Sequence, residues 1–330
     1  MRRAAALALA VLAVPAAAAA PTPGAYREHD GGGFHDILPP GTNGLVNGPQ
    51  LLAFEASGTK PAHNDDQLAM YADLVRATPG LKAADLEKYF KDSSFGVPPG
   101  KVGRTYSPRD DVTIVRDSDF GVPHIYGADR NGAMFGTGYA TAEDRLFFID
   151  VLRHLGRAQL TSFAGGAVGN RAFDEMQWAN APYTEQDMTD QIAIGLKLYG
   201  ELGERVKNDT DNYLAGINAY IAEAKLNPNL MPGEYAAINQ PGGPTAFKQS
   251  DLIAIASLVG GIFGKGGGRE LGEMQLLQAL QKRFGAGKGR TLWRQWAAYE
   301  DPDAPLTVTH GRFPYPVSYT HLTLPTNREV

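Results

Sequence analysis

The sequence contains no cysteine among its 330 residues. This absence excludes thiol nucleophiles, thiolate metal ligands and disulfide bonds, and it leaves the redox compartment undetermined by cysteine usage. The chain also lacks a basic excess, because its formal net charge is -5. We therefore expect no nucleic-acid partner, since no surplus of positive charge is available to neutralise phosphates.

Long apolar runs are absent except at the N-terminus. There Arg2 and Arg3 precede a run of Ala, Leu, Val and one Pro that extends to residue 20. A basic start, a short apolar run and a small-residue end are typical of a secretory signal peptide. The competing interpretation is a membrane anchor, but a span needs about 20 strongly apolar residues and alanine inserts weakly. We expect residues 1–20 to be a signal peptide and the protein to be secreted or periplasmic, without a membrane partner after signal removal.

A hydrophobic content of 43% is enough for a sizeable core, and the length predicts one or two domains. Glycine and proline interrupt residues 21–108 repeatedly, which predicts a loop-rich N-terminal extension with short helices at 65–77 and 81–90. Two polar clusters in this extension could suggest a metal site. We interpret them as solvated loop residues, because neither has the closed spacing of a zinc site. They comprise His29, Asp30, His35 and Asp36, and His63 with Asp65 and Asp66.

The most informative stretch of the chain is 112–166. Apolar residues on both sides of the turn-forming segment 117–121 predict two paired strands. Apolar and charged residues at helical spacing over 140–153 then predict a helix. Its charged residues could suggest an acid/base pair, but we interpret them as a buried ion-pair network that ties the helix to the sheet. They are Asp144, Arg145, Asp150 and Arg153.

The second half of the chain predicts further helices. Segment 213–221 has one apolar face, and Pro228 ends the helix because proline cannot continue it. Segment 253–259 is apolar on most sides and predicts a buried helix. A glycine-rich segment, 260–268, connects it to a second amphipathic helix.

Two quoted motifs carry a family resemblance. The sequences IVRDSDFGVPHIY (114–126) and GYATAEDRLFFIDVLR (138–153) resemble the start of the A chain of the penicillin acylase family of N-terminal-nucleophile (Ntn) amidohydrolases. Segments 213–221, 232–235 and 247–259 are also similar to that chain, although Phe247 stands where the family usually has tryptophan. The resemblance defines an A-chain-like region at 109–316.

The resemblance implies both fold and chemistry. It implies an α+β, mostly helical fragment that belongs to an αββα four-layer sandwich and supplies peripheral helices and the first strands. It also implies a self-processed precursor whose nucleophile is the N-terminal Ser of a B chain, with that free amine as general base. We therefore expect no catalytic residue in this chain, its own B chain as partner, and no activity of the chain alone. The expected substrate is a small acylated amine such as a β-lactam, an acyl-homoserine lactone or a lipopeptide.

In the family a helix-loop-helix at this place forms one wall of the acyl pocket, and the loop of this chain departs from the family pattern by being shorter and richer in glycine. Phe263 is the candidate for substrate binding, and ordinary core packing is an equal alternative because pockets and cores use the same side chains. Glu270 falls where the family supplies one carboxylate to a structural calcium ion. The alternative is a first-turn acid favoured by the helix dipole. Calcium takes six to eight oxygen ligands, so we expect it only in the complete protein.

Three interpretations remain open beside this one. Residues 317–330 resemble no acylase segment and look like a translated sequencing adapter, so we expect a non-native tail. The chain could instead be a non-catalytic helical scaffold or binding module, which the coding sequence beyond residue 315 would distinguish. It could also be a different secreted enzyme whose chemistry resides in the extension.

Overall fold

The computed structural model describes residues 20–28, 35–36, 46–66, 68–77, 80–263 and 270–296. The signal-peptide prediction rests on residues that, apart from residue 20, lie outside this description. His29, Asp30 and the predicted tail also lie outside the described residues, so these interpretations stay predictions.

Helices dominate the described chain, with small sheets between them. The elements in order are β1 (His35–Asp36), α1 (Gly48–Ser57), α2 (Leu68–Ala77), α3 (Leu86–Tyr89), β2 (Lys91–Asp92), β3 (Val102–Arg109), β4 (Val112–Asp117), β5 (Pro123–Gly127), α4 (Arg130–Gly156), α5 (Leu160–Ala164), α6 (Val168–Asn180), α7 (Glu185–Tyr199), α8 (Glu201–Leu226), α9 (Glu234–Ala237), α10 (Gln249–Phe263), α11 (Glu270–Phe284) and α12 (Ala286–Trp296). This confirms the mostly helical α+β class. The four-layer arrangement expected for the complete protein stays a prediction.

The predicted strand pair is the hairpin of β4 and β5. These strands are antiparallel, with Ile114 opposite Ile125, and β3 pairs with the other edge of β4. The turn between β4 and β5 is held by Asp117, whose Oδ1 accepts hydrogen bonds from the backbone N–H groups of Asp119 (3.1 Å) and Phe120 (2.6 Å). A short side chain that accepts from its own turn is what favours aspartate in such positions.

The core forms where α4 crosses α8. Leu214, Ile217, Tyr220 and Ile221 are all buried on α8, which confirms the predicted apolar face. The helix ends at Leu226, just before the predicted stop at Pro228. The rings of Tyr220 and Tyr139 meet edge to face at 5.4 Å, a geometry that aromatic pairs prefer.

The crossing brings two backbones into direct contact at a pair of glycines. A Cβ on Gly138 would lie 1.9 Å from the Tyr213 carbonyl oxygen, and one on Gly216 would lie 2.0 Å from the Phe135 carbonyl oxygen. Such separations are far below van der Waals contact. The two helices can therefore approach this closely only because both positions lack a side chain.

The N-terminal extension forms only part of the helical structure that the sequence predicts for it. The helix expected at 65–77 begins at Leu68, because Asp65 and Asp66 are held in the preceding turn by Lys60 (2.6 Å) and by His63 (2.6 Å). Segment 81–90 contains a 3₁₀ turn at Ala83–Asp85 followed by the single turn of α3. Among the described residues no group of three His, Cys, Asp or Glu side chains is arranged to hold a metal ion.

No helix in the described ranges combines the length and apolar character needed to cross a bilayer.

We predict that Gly138→Ala destabilises the chain by about 1–3 kcal/mol, because overpacking at a backbone contact outweighs the better helix propensity of alanine. Gly195→Ala is the matched control, since a Cβ at this α7 position meets nothing within 4 Å. The control should be neutral or stabilise by up to about 1 kcal/mol. Urea unfolding of both variants measures the difference, and equal stability of the two would contradict the crossing described here.

Candidate functional site

The helix-loop-helix predicted to form the pocket wall corresponds to α10 and α11, whose connecting residues 264–269 lie outside the described residues. One side of α10 is buried through Ala254 and Leu258, whereas Val259 and Ile262 are exposed. The prediction of a helix buried on most sides is therefore only half right. The reason is that α10 packs against α4 and α7 on one side, while its last turn projects beyond them.

Phe263 ends α10 and is 82% exposed, so it does not belong to the core of the described chain. Its role in substrate binding stays a prediction. Glu270 is the first residue of α11, its side chain is outside the described set, and its calcium role also stays a prediction. The structure does place Leu271 and Met274 on the same helix with exposed side chains.

Arg153 of α4 fixes the buried side of α10. Its Nε donates to Asp150 Oδ1 (2.6 Å), and its Nη1 donates to Asp251 Oδ2 (3.2 Å) on α10. The guanidinium also lies 3.9 Å from the ring centroid of Phe247, a favourable cation–π distance. Tyr235 of α9 completes the network by donating to Asp150 Oδ2 (2.8 Å).

The contacts of this network are those of a structural ion-pair cluster. Burial raises the pKa of Asp150, but the hydrogen bonds from His154 and Tyr235 and the charge of Arg153 outweigh it, so the pKa lies below its ordinary value. Asp150 is therefore ionised at neutral pH, and both of its oxygens are engaged by neighbouring donors. The ion pairs predicted from the sequence are present. The prediction that all of them tie α4 to the sheet was partly wrong. Asp150 and Arg153 bind α9 and α10, not the sheet.

The contact between α4 and the sheet is made by a separate group of charges. Arg116 of β4 pairs with Glu143 Oε2 (2.6 Å) and Asp144 Oδ1 (2.7 Å). Tyr106 of β3 donates to Glu143, and burial raises the pKa of Tyr106 to about 12. Between the two networks α4 is kinked at Arg145, where φ is −141° and ψ is 24°.

Sequence reasoning missed several members of these networks. Arg116 and Glu143 lie inside the two motifs that carry the resemblance. Their charge among apolar neighbours was the sequence feature that could have indicated a buried ion pair. Asp251 and Tyr235 also fall in segments that carry the resemblance. Their partners could not be identified, because the Arg153–Asp251 pair is separated by 98 positions in the chain.

A second junction joins α7 to the same framework. Glu185 accepts from Lys248 Nζ (2.6 Å) and Ser250 Oγ (2.5 Å), and it pairs with Arg157 (3.1 Å). Burial raises the pKa of Glu185, but these donors outweigh it and lower the pKa to about 2. The cluster sits at the N-terminus of α7, where a carboxylate is also favoured by the helix dipole.

An apolar groove of about 490 Å³ runs between α7, α8 and α10. Leu196, Leu202 and Ile253 are among its lining residues. The sequence analysis did not single it out. Nothing in the described chain shows what covers it.

Known acylases resemble this chain. The chain is 26% identical over 212 residues to penicillin G acylase of Escherichia coli, a match that covers 63% of this chain and 23% of that protein. It is 31% identical over 133 residues to the acyl-homoserine lactone acylase PvdQ of Pseudomonas fluorescens (strain Pf0-1), which covers 37% of this chain and 15% of that protein. A solved structure of a thermostable penicillin G acylase from Alcaligenes faecalis matches 64% of this chain and 100% of its own, with 26% identity and a TM-score of 0.40.

The family model for penicillin amidase matches residues 111–305, which is more than half of the chain. The chain therefore belongs to the penicillin amidase family. It spans less than a quarter of the length of the two curated relatives.

We predict that Arg153→Met destabilises the chain by about 3–5 kcal/mol, because it leaves Asp150 buried without its cationic partner. Arg171→Met is the matched control, since within the described ranges Arg171 forms an exposed i,i+4 ion pair with Glu175 and no other, and it should change stability by less than about 0.5 kcal/mol. Urea unfolding monitored by circular dichroism measures both. A loss for Arg153→Met no larger than for the control would show that the network does not support the fold.

A second prediction concerns acid stability. The folded pKa of Glu185 is about 2 and the unfolded value is about 4.5, so its contribution is present above the unfolded value and is lost as pH falls toward the folded value. Glu185→Gln should reduce the loss of unfolding free energy as pH falls from about 4.5 to about 2. Glu175→Gln should leave that loss unchanged. Unfolding free energies measured between these two pH values test the prediction, and an unchanged slope in Glu185→Gln would contradict it.

Proposed function

We propose that this chain is the cleft-shaping part of a secreted or periplasmic amidohydrolase that cleaves the amide bond of an acylated amine. The observation that carries the proposal is the penicillin amidase family match across 111–305. The names of the relatives, one a penicillin acylase and one an acyl-homoserine lactone acylase, support acyl transfer to water from an amide substrate.

In the proposed mechanism the attacking hydroxyl comes from the N-terminal Ser of a B chain, which self-processing of a longer precursor exposes. The free amine of that Ser acts as general base, and donors aimed at the developing oxyanion stabilise the tetrahedral intermediate. The part described here contributes binding and shape. Phe263 would contact the acyl group, which is the portion of the substrate that an aromatic pocket wall recognises.

The structure supports this division of labour through two features of α10. Its buried side is fixed by Arg153 and Asp251, so the helix is positioned firmly. Its opposite side exposes Ile262 and Phe263, and exposed apolar patches are typical of ligand or partner contacts. A rigid helix with an uncovered apolar end suits a pocket wall that a B chain completes.

Calcium belongs to the same proposal. Glu270 would supply one carboxylate, and the described residues hold no cluster that could bind the ion alone. The remaining oxygens would have to come from the B chain, because calcium takes six to eight ligands.

The alternative function is a non-catalytic scaffold or binding module. The exposed apolar side chains at the end of α10 fit a partner as well as a B chain. The complete coding sequence distinguishes the two: an encoded Ser-headed B chain supports the enzyme, and its absence supports the scaffold.

The test uses the protein encoded by the complete coding region. We expect it to hydrolyse penicillin G, an N-acyl-homoserine lactone or an acyl-aminocoumarin amide, and we expect the present chain alone to turn over none of them. In the active protein, Phe263→Ala should lower kcat/KM by about tenfold through lost acyl contacts. Phe173→Ala, a half-exposed phenylalanine on α6, is the matched control and should stay within about twofold of the parent.

Turnover by the present chain alone would contradict the proposal, because it would place the nucleophile here. Equal effects of the two phenylalanine variants would show that Phe263 does not line the pocket. They would not contradict the proposed hydrolase activity.

A further inference from the structure

The apolar groove of about 490 Å³ between α7, α8 and α10 is open to solvent. Pockets that bind small molecules have volumes of roughly 300–1,000 Å³ and mostly apolar walls. Tyr199, Leu202 and Val206 line the groove and are 64%, 55% and 55% exposed. A ligand that enters the groove therefore reaches the side chains that line it.

Two glycines shape the part of the groove between α7 and α8. A Cβ on Gly203 would lie 2.8 Å from the Gly195 carbonyl oxygen, so the two antiparallel helices approach closely there. Gly195 itself lines the groove, and a Cβ at this position would meet nothing within 4 Å. The lining thus leaves open the space that a side chain at residue 195 would take.

One end of the groove is apolar. Leu196, Tyr199 and Leu202 lie next to the turn that joins α7 to α8, and Ile253 of α10 continues the apolar lining. Of the lining residues in the described chain, Lys207 alone is charged. Such a surface suits an alkyl chain, because contact removes apolar area of both partners from water.

The other end of the groove is polar but carries no uncompensated charge. Gln191 and Thr210 meet there because α7 and α8 are antiparallel, and Gln249, the first residue of α10, donates to Asp211 at the same end. Lys207 Nζ pairs with Asp211 Oδ2 (2.6 Å). The one cationic lining residue is therefore neutralised within the chain.

The polar end offers hydrogen-bonding groups to a ligand. The Thr210 hydroxyl donates to the Val206 carbonyl oxygen (2.8 Å), so its oxygen can still accept. Gln249 uses Nε2 to donate to Asp211, which leaves its Oε1 as an acceptor. The exposed amide of Gln191 can both donate and accept. These groups favour a ligand head that donates hydrogen bonds and has no charge.

We propose that this groove binds an uncharged single-chain amphiphile. A medium-length alkyl chain lies along the apolar lining, and a hydroxyl- or amide-bearing head lies at Gln191, Thr210 and Gln249. A charged head of either sign is disfavoured, because it would compete with the Lys207–Asp211 pair for its partner or leave water without one.

The groove is separate from the predicted acyl pocket. It uses the first half of α10, through Leu252, Ile253 and Ala256, whereas Phe263 is the last residue of that helix. The inference therefore goes beyond the proposed hydrolase and does not depend on it.

Isothermal titration calorimetry of the full chain with 1-decanoylglycerol, kept below its critical micelle concentration, tests the proposal. We expect saturable binding at one site and no binding of glycerol, which lacks the chain. Decanoate and decyltrimethylammonium have chains of the same length with a negative and a positive head. Each should bind at least about tenfold more weakly than 1-decanoylglycerol.

Two pairs of variants locate the binding site. Leu202→Gln should weaken binding at least about fivefold through lost apolar contact, whereas Leu198→Gln, on the same helix pair, 67% exposed and outside the lining, should stay within about twofold. Gly195→Leu should fill the groove and weaken binding at least about tenfold. Its matched control is Gly169→Leu on α6, where a Cβ also meets nothing within 4 Å.

Absence of saturable binding of 1-decanoylglycerol would overturn the proposal. So would equal affinity for the three ten-carbon compounds, or equal effects of each variant and its control. If Gly195→Leu does not fold, as judged by circular dichroism, Leu202→Gln at its half-exposed position decides the outcome. Sedimentation velocity without ligand examines another occupant: a dimer that Leu202→Gln dissociates and Leu198→Gln does not would assign the groove to a second copy of the chain and overturn the proposal.

Discussion

The buried charge of Arg153 is the constraint on which the placement of α10 depends. A guanidinium removed from water must be surrounded by acceptors, because an unpaired buried charge is strongly unfavourable. Here the acceptors come from α4 itself, from α10 and from the backbone of residues 245–246. A different placement of α10 or of residues 245–246 would leave the guanidinium with fewer acceptors. The ion pairs thus determine the position of α10, in which its apolar end projects outward.

Hydrophobic packing alone would not select that position. The side of α10 that faces α4 is apolar, but so is its exposed end, and apolar surfaces have little directional preference. Hydrogen bonds to a planar guanidinium are directional and specify both angle and distance. The polar contacts therefore determine which of two apolar sides is buried and which is left exposed.

Local sequence patterns were enough to predict the elements that local interactions determine. The β4–β5 hairpin follows from turn residues at 117–121, and the buried face of α8 follows from apolar spacing. Pairing across the fold could not be predicted in the same way. Tyr235 and Asp150 are 85 positions apart, and only the folded packing brings them together.

The kink at Arg145 divides α4 into two helical segments with different axes. An unbroken helix of this length behaves as one rod, so a shift at its sheet end would be carried along its axis to the far end. With helical geometry interrupted at one residue, a change of angle concentrates there. The half that carries Glu143 and Asp144 can follow the sheet, while the half that carries Asp150 and Arg153 stays aligned with α10. A change of angle between the sheet and α10 is therefore taken up at Arg145 and is not passed along the whole of α4.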